Sequence, residues 1–262
     1  IAVDYAGQPC DYTSLQSIAN KHQCVLLADG AHSLGAKFKN KYAGSLARAT
    51  AFSFHPVKPI TTGEGGMVVT DDEALATRTR CFRNHGITTD ARARQSAGNW
   101  FYEMIDLGYN YRLSDIQCAL GIGQLKKLGG WITRRQEIAK IYDMAFESNP
   151  YVSPLHVMPG VSHGYHLYAV RWNAGCRDDA YNLLRSHGIG VNVHYIPVHL
   201  HPFYQEQLGT HQGMCPNAEL AYKQLLSLPI FPGMKESDIS ETIAAVQAVA
   251  SLQQVGNANL VA

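Results

Sequence analysis

The chain has 262 residues, of which 46% are hydrophobic and 16% charged, and its formal net charge is +1. This composition is typical of a folded globular protein, and so small a charge gives no electrostatic reason to expect nucleic acid or an anionic membrane as a partner. No apolar run reaches membrane-spanning length and no signal peptide is visible, so we expect neither kind of partner.

The first elements alternate between strand and helix. Ile1–Gly7 begins without a methionine and reads as a strand that runs into a turn, so we expect that an N-terminal part of the domain is missing. Helical spacing follows over 11–22, with Asp11 or Thr13 as the cap. The continuous apolar run Cys24–Ala28 predicts a strand that is buried on both faces of a parallel sheet.

The central stretch places one lysine between two apolar strands. Ala49–Phe54 reads as a strand, a polar loop carries Lys58 between two prolines, and a glycine-rich turn leads into the strand Met67–Thr70. A lysine against a partly desolvated wall has a lowered pKa, which makes its amine a usable nucleophile and proton carrier. On this stretch alone, a surface lysine in a β-hairpin is the better explanation.

Two capping-box patterns, Thr70-x-x-Glu73 and Ser114-x-x-Gln117, predict the starts of two further helices. Residues 87–100, which lie between these helices, are loop-like. The later strands and helices are predicted at His166–Trp172, Asp178–His187, Val191–Tyr195, 217–226 and 238–252, and residues 256–262 show no pattern.

This order of elements predicts an α/β fold with a mainly parallel sheet, followed by a smaller α+β domain. We expect residues 1–128 to be the remainder of a large α/β domain, 129–149 a connecting helix, and 150–262 the small C-terminal domain. The six cysteines are scattered without a C-x-x-C pair, which favours reduced thiols in a cytoplasmic enzyme over disulfides or a zinc site. The histidine spacing likewise predicts no metal site.

Two chemically complementary residues follow neighbouring strands. Asp29 stands where an apolar strand ends, and the carboxyl ends of parallel strands are where such sheets place their ligands. Alone, Asp29 is better explained as a turn or cap residue. Together with Lys58 it matches the needs of pyridoxal phosphate (PLP), namely a lysine to hold the aldehyde and a carboxylate to keep the ring nitrogen protonated. The Ser53 hydroxyl could donate to the phosphate.

Five short motifs together resemble the DegT/StrS family of sugar aminotransferases, which are fold-type I PLP enzymes of the aspartate aminotransferase-like class. The run Pro59–Gly66, with Asn149-Pro150-Tyr151, is most similar to family members that aminate a UDP-4-keto-6-deoxy-hexosamine for pseudaminic acid biosynthesis. The five motifs are Asp29-Gly30-Ala31-His32, Ser53-Phe54-His55-Pro56-Val57-Lys58, Gly63-Glu64-Gly65-Gly66, Arg83-Asn84-His85-Gly86 and Gly108-Tyr109-Asn110-Tyr111-Arg112.

The resemblance implies a role for each cofactor-site residue. Lys58 is the catalytic lysine that holds PLP, and Asp29 is the partner of the pyridine nitrogen. His32 lies against the ring or its 3′-oxygen, and Ser53 binds the phosphate. Asn110 reaches the phosphate of the neighbouring subunit's cofactor, which implies a homodimer with shared active sites. Without the family, a helix-start histidine and a turn asparagine explain His32 and Asn110 as well.

The substrate-binding residues follow less directly from the motifs. His194, Tyr195 and His199 are candidates for lining the sugar-nucleotide pocket, although hydrogen-bonded histidines inside the small domain explain the pattern equally well. Arg112 is a candidate for holding the glutamate carboxylate, with a salt bridge or a helix end as the alternative.

The implied reaction is ping-pong transfer of an amino group from L-glutamate to a UDP-keto sugar, with Lys58 as general acid and base. A dehydratase branch of the family lacks this lysine. Two alternatives stay open. Family members carry a further N-terminal segment with the phosphate-gripping loop, so the chain could be a truncated, non-catalytic fragment or a regulatory PLP-fold relative. It could also aminate another nucleotide sugar, such as a dTDP- or 3-keto sugar.

Overall fold

The computed structural model describes the backbone of residues 1–260 and the side chains of residues 1–253. The chain divides into two compact units. The first unit is Ile1–Gly130 with Pro159–Gly164, and the second unit is Trp131–Met158 with Tyr165 to the C terminus. This partition differs from the predicted three-part division, because most of the expected connecting helix belongs to the second unit and a short later segment returns to the first.

The strands of the described residues are β1 (Ala2–Val3), β2 (Leu27–Asp29), β3 (Lys37–Phe38), β4 (Lys41–Tyr42), β5 (Ala49–Ser53), β6 (Gly66–Val69), β7 (Val152–Pro154), β8 (Val161–Ser162), β9 (Tyr168–Trp172) and β10 (Leu225–Leu228). The α-helices of the described residues are α1 (Tyr12–Lys21), α2 (Glu73–Phe82), α3 (Ala91–Ser96), α4 (Asp115–Leu125), α5 (Leu128–Phe146), α6 (Arg177–Ser186), α7 (Pro202–Leu208), α8 (Pro216–Gln224) and α9 (Glu236–Leu260).

The main sheet of the first unit has the strand order β1-β2-β5-β6. The first three strands run parallel and β6 is antiparallel to β5, so the predicted mainly parallel sheet is confirmed. In the register of the sheet, Val3 pairs with Asp29 and Asp29 pairs with Ala51. The carboxyl ends of β1, β2 and β5 therefore meet at one edge, the usual place for a ligand in a parallel sheet.

A smaller sheet ties residues 159–164 to the first unit. β3 pairs antiparallel with both β4 and β8, so that Phe38 lies opposite Val161. The backbone N–H of Lys39 donates to the Gly160 carbonyl at 2.7 Å.

The main sheet is covered on one face. Ala28 and Leu26 pack with Tyr12 and Phe38 in a buried cluster, whereas the Leu27 side chain is 40% exposed. The prediction that this strand is buried on both faces is therefore wrong. An uninterrupted apolar run does not by itself show what covers each face of a strand.

The predicted helix starts have mixed outcomes. The Ser114 box is confirmed, since its hydroxyl accepts the Gln117 N–H at 3.3 Å and the Gln117 side chain accepts the Ser114 N–H at 2.9 Å. The box at Thr70 is wrong. Asp72 caps α2 by accepting a backbone N–H of the first turn, while the Thr70 hydroxyl donates to the Arg48 carbonyl. The predicted loop 87–100 contains α3.

The second unit contains an antiparallel sheet with the order β10-β9-β7 and one continuous hydrophobic core of aliphatic and aromatic side chains. The strand predicted at Val191–Tyr195 is wrong. Asn192 forms an isolated bridge with Ser227, and its side chain accepts the Val193 N–H at 2.8 Å, which takes that donor away from a ladder. The last helix extends past its predicted end at 252. Of the patternless tail, 261 and 262 lie outside the described residues.

Within residues 1–260, no helix combines the length and the apolar character needed to cross a bilayer.

Candidate active site at the carboxyl edge of the main sheet

Asp29 and Ser53 are the last residues of two adjacent parallel strands, β2 and β5. The Asp29 carboxylate accepts the Ala31 N–H at 3.0 Å, which orients it within the turn after β2. The Ser53 hydroxyl accepts the His55 N–H at 3.3 Å at the start of the next loop. The two predicted cofactor residues therefore stand at the same edge of the sheet.

Lys58 lies half-buried in the loop between β5 and β6. Its backbone N–H donates to the His55 carbonyl at 3.0 Å, which makes a tight turn. Burial lowers the pKa of the Lys58 amine, and the negative charge of Asp29 partly opposes this shift. The Asp29 charge therefore reaches the Lys58 amine, so the two groups lie in the same part of the first unit.

Helix α4 holds the lysine loop in place. The Thr61 N–H donates to the Gln124 side chain at 2.9 Å, and the Thr61 hydroxyl donates to the Phe54 carbonyl at 3.0 Å. The Gln117 amide group donates to the Glu64 carbonyl at 3.0 Å. The Gln117 side chain therefore makes two contacts. Its oxygen completes the cap of α4, and its nitrogen holds the end of the lysine loop near Glu64.

His32 follows Asp29 in the turn after β2 and is half-buried. Its Nδ1 accepts the Ala6 N–H at 3.2 Å, and its ring centroid lies 6.3 Å from that of Tyr5. A neutral histidine whose Nδ1 accepts a hydrogen bond carries its proton on Nε2. The tautomer of His32 is therefore set by the chain segment that follows β1.

Asn110 and Arg112 are exposed residues of one extended segment of the first unit. Asn110 forms an antiparallel bridge with Asn84, and the Arg112 guanidinium donates to the Asn84 side-chain oxygen. Both predicted residues are therefore positioned by the same asparagine, which the sequence analysis quoted only as part of a motif.

Two glycines allow this segment to approach the turn after α2. Gly86 has φ +71°, and a Cβ added there would lie 1.7 Å from the Asp106 carbonyl oxygen. A Cβ on Gly108 would lie 2.1 Å from the Gly86 nitrogen. Because the neighbouring atoms are backbone, no side-chain movement can make room, so glycine is required for the contact.

The predicted substrate residues His194, Tyr195 and His199 lie in the second unit. His194 Nδ1 is hydrogen-bonded to the Ser227 hydroxyl at 2.8 Å. His199 Nε2 lies 2.9 Å from a carboxylate oxygen of the buried Glu219. Both imidazoles therefore have hydrogen-bond partners within the unit, as the structural alternative supposed, while Tyr195 is more than half exposed.

Sequence reasoning missed Asp4, which directly follows β1 and is 1% exposed. Its carboxylate accepts hydrogen bonds from the Cys10 N–H, the Tyr12 hydroxyl and the Ser33 hydroxyl. Asp4 follows its strand at the same sheet edge as Asp29, but no local pattern distinguishes it, because the fold brings Tyr12 and Ser33 to it. Among the described residues, no group of three or more histidine, cysteine, aspartate or glutamate side chains has an arrangement that could hold a metal ion.

The sequence profile of the DegT/DnrJ/EryC1/StrS aminotransferase family matches residues 1–247. SpsC, a spore coat polysaccharide biosynthesis protein of Bacillus subtilis, is 40% identical over 253 residues, which are 94% of this chain and 65% of SpsC. A UDP-4-amino-4,6-dideoxy-N-acetyl-beta-L-altrosamine transaminase of Campylobacter jejuni is 40% identical over 239 residues, 90% of this chain and 61% of that protein. The chain thus spans less than two thirds of either relative.

Solved structures show the same fold. PseC of Helicobacter pylori, an aminotransferase involved in the biosynthesis of pseudoaminic acid, matches 95% of this chain with a TM-score of 0.88 and 34% identity, over 66% of its own length. The PLP form of Spr1654 from Streptococcus pneumoniae matches 96% of this chain with a TM-score of 0.88 and 29% identity, over 68% of its length. These similarities confirm the predicted fold class.

Proposed function

The chain belongs to the DegT/DnrJ/EryC1/StrS aminotransferase family, and we propose on that premise that it carries the lysine site of a PLP-dependent sugar-nucleotide aminotransferase. Family membership confirms the predicted resemblance. The observation that carries the proposal is the position of the half-buried Lys58 in the loop after β5, where the negative charge of Asp29 acts on its amine. Both groups lie at the carboxyl edge of a mainly parallel sheet.

The residues present fit the cofactor. PLP carries an aldehyde, a basic ring nitrogen, a 3′-oxygen and a phosphate, and each needs a different kind of protein group. The edge offers an amine at Lys58, a carboxylate at Asp29, an imidazole at His32 and a hydroxyl at Ser53. The fixed tautomer of His32 leaves a proton on Nε2, which suits an oxygen acceptor such as the 3′-oxygen.

When bound, PLP supplies an aldehyde carbon and an electron-accepting ring. Lys58 would hold that carbon at Nζ and then take up and return a proton at the same atom. Its lowered pKa raises the unprotonated fraction of the amine, the only form that is nucleophilic. Asp29 would face the ring nitrogen and keep a proton there. The Ala31 N–H holds the Asp29 carboxylate in one orientation for this task.

We infer that the amino donor is L-glutamate and the acceptor a UDP-4-keto-6-deoxy-hexosamine, as the motif resemblance predicts. The transaminase name of the Campylobacter jejuni relative supports a UDP-linked acceptor. Of the three predicted residues His194, Tyr195 and His199, Tyr195 is the most exposed and is our first candidate for contact with the sugar nucleotide. Arg112 would bind a carboxylate or a phosphate, the anions that a guanidinium recognises.

We further infer a homodimer in which Asn110 acts on the partner subunit's cofactor. The support is the set of large apolar side chains that residues 100–125 of the first unit expose, because clustered exposed apolar residues often mark an interface. Its exposed side chains include Trp100, Phe101, Tyr102, Met104, Ile105, Leu107, Tyr111, Ile116 and Ile122. All six cysteines are free thiols, which supports the predicted cytoplasmic location.

Reductive trapping tests the cofactor site. The 262-residue chain is mixed with PLP, reduced with borohydride, digested and mapped by mass spectrometry. We expect the adduct on Lys58, its loss in Lys58→Met, and its retention in Lys41→Met, which removes an exposed lysine of the same unit. Labelling spread over surface lysines, or the same adduct yield in Lys58→Met, would refute the site and favour a non-catalytic role.

A second assay addresses the substrates. The protein is incubated with PLP, L-glutamate and a panel of UDP- and dTDP-linked 4-keto and 3-keto sugars, and release of 2-oxoglutarate is measured. Turnover confined to UDP-4-keto sugars supports the proposed acceptor. Turnover with a dTDP- or 3-keto sugar instead would contradict it while keeping the aminotransferase reaction.

A further inference from the structure

A buried carboxylate that the proposed chemistry does not use lies beside the candidate site. Asp4 follows β1 at the edge of the sheet, and its backbone N–H donates to the Asp29 carbonyl at 3.0 Å. Burial raises the pKa of the Asp4 carboxyl, while hydrogen bonds from Ser33 and Cys10 oppose that shift. An ionisable group at 1% exposure is costly unless hydrogen bonds compensate for the water it has lost.

The compensating donors come from two different chain segments. Oδ1 of Asp4 accepts the Cys10 N–H at 3.0 Å and the Tyr12 hydroxyl at 2.9 Å, both from the entry to α1. Oδ2 accepts the Ser33 hydroxyl at 2.6 Å, from the turn after β2. One carboxylate therefore cross-links the start of α1 to the turn that carries the candidate site.

That turn orients the two groups expected to face the cofactor ring. The Ser33 N–H donates to the Gly30 carbonyl at 2.9 Å, which closes the turn between Asp29 and His32. Within it the Ala31 N–H donates to the Asp29 carboxylate. Holding Ser33 at its hydroxyl therefore limits the rotation of the whole turn, and the Ala6 N–H bond to His32 Nδ1 has the same effect.

We propose that Asp4 is a positioning residue, which through Ser33 fixes the directions of the Asp29 carboxylate and the His32 imidazole. The claim that these two groups face the cofactor ring rests on the proposed function. The hydrogen bonds of Asp4 do not depend on it. A site that works by orientation needs such a supporting shell, because misplacement by about 1 Å can cost about 100-fold in rate.

Asp4→Asn tests the proposal, since it keeps the shape of the side chain and changes its hydrogen bonding. The carboxamide NH₂ can only donate, so the Ser33 hydroxyl would have to turn and accept from it, and a charge-assisted hydrogen bond to the turn would become a weaker neutral one. Asp11→Ala is the matched control. It removes the cap of the same helix, where Asp11 accepts the Thr13 and Ser14 N–H groups, and it leaves the turn after β2 untouched.

The first readout needs no cofactor. In Asp4→Asn we expect the amides of Ala31 and Ser33 to exchange at least about tenfold faster than in Asp11→Ala, and the ¹⁵N shifts of the His32 ring to move. Equal exchange rates and unchanged His32 shifts would overturn the proposal. If Asp4→Asn does not fold, Ser33→Ala, which removes the hydroxyl that links Asp4 to the turn, is judged by the same two measurements.

The second readout is the dissociation constant of PLP, followed by absorbance. We expect it to rise about tenfold or more in Asp4→Asn and to stay within about twofold in Asp11→Ala. Equal loss in both variants would make Asp4 merely structural and overturn the proposal. If the wild-type chain binds no PLP, the proposed function fails, and the exchange measurement alone still decides whether Asp4 orders the turn.

Discussion

The two units of the chain bury their apolar side chains to different extents. The second unit has a continuous core in which Trp172, Tyr142 and Phe146 are each at most 2% exposed. The buried cluster of the first unit is smaller and includes several alanines, and one strand of its main sheet shows Leu27 to solvent. Apolar burial is therefore concentrated in the second unit.

The chemically distinctive groups show the opposite distribution. Lys58, Asp29 and His32 all lie in the first unit, at a sheet edge that is only partly covered. In the second unit the histidines that the sequence suggested for substrate contact are hydrogen-bonded to Ser227 and Glu219. The candidate cofactor groups therefore lie in the unit with the smaller buried cluster.

The largest effect should come from matched leucine truncations in the two units. Leu184→Ala empties a site at 0% exposure in the second unit, and we expect a loss of about 2–5 kcal/mol in the free energy of unfolding. Leu27→Ala in the first unit should cost less than about 1 kcal/mol, because this side chain already contacts solvent. Urea titrations followed by circular dichroism measure both. Equal losses would contradict the contrast in burial.

A substitution at the close contact between Gly86 and Gly108 should distort the first unit locally. In Gly108→Ala the new methyl group would meet the Gly86 backbone nitrogen at 2.1 Å, so the segment that carries Asn110 must move, at a cost of about 1–3 kcal/mol. Gly130→Ala is the control, because Gly130 lies in the first turn of α5 and no atom outside that helix's own backbone lies within 4 Å of the added Cβ. It should be neutral or slightly stabilising. Thermal unfolding distinguishes the two variants, and similar behaviour would remove the argument for a tight turn.

The acid sensitivity of the second unit provides a smaller effect. The hydrogen bond from His199, with further bonds from the Gly213 and Cys215 N–H groups, lowers the pKa of Glu219. A carboxyl whose pKa is lowered on folding contributes stability that is present above its unfolded value, here 4.5, and is lost as the pH falls through the folded pKa.

Glu219→Gln should therefore flatten the dependence of the unfolding free energy on pH below about 4.5, the ordinary pKa of a glutamate. Glu241→Gln, at an exposed position of α9, should leave the slope as it is in the wild type. Chemical denaturation at a series of acidic pH values compares the three proteins. A Glu219→Gln profile as steep as that of the wild type would mean that another group carries the acid sensitivity.

Features of the fold could be predicted where their signal in the sequence is local. The caps at Asp11 and Ser114 were predictable, because each side chain bonds to a backbone group within its own first turn. Thr70 failed for a related reason. Asp72 stands closer to the same helix and caps it, while the Thr70 hydroxyl donates to the carbonyl of Arg48, the residue before β5. Local patterns name the candidates, and tertiary contacts choose among them.

The candidate site was predictable where its chemistry is unusual. A lysine between prolines and an aspartate after an apolar run stood out, and in the structure the charge of Asp29 acts on the pKa of Lys58. Asp4 did not stand out, because its role depends on Tyr12 and Ser33, which only the fold brings to it. The sequence also could not show which face of β2 is covered, because the run that contains this strand places apolar side chains on both faces.

The smallest expected effect concerns Lys58 itself. Burial lowers its pKa in the folded chain. An amine of this kind contributes stability that is present above the unfolded pKa, about 10.5, and lost as the pH falls through the folded pKa. At neutral pH the folded chain therefore carries a penalty for the charged lysine, which solvent reduces because the amine is only half-buried.

Lys58→Met should then raise the unfolding free energy of the cofactor-free chain at neutral pH by less than about 1 kcal/mol. This gain in unfolding free energy should shrink as the pH approaches the pKa of the free amine, about 10.5. Lys41→Met, at an exposed lysine, should show no such trend when both are followed by urea titration between pH 7 and 10.5. A loss of stability in Lys58→Met would make the lysine a structural residue. A gain would mean that the first unit keeps a residue that works against its own folding, as expected where a side chain is retained for reaction with a ligand.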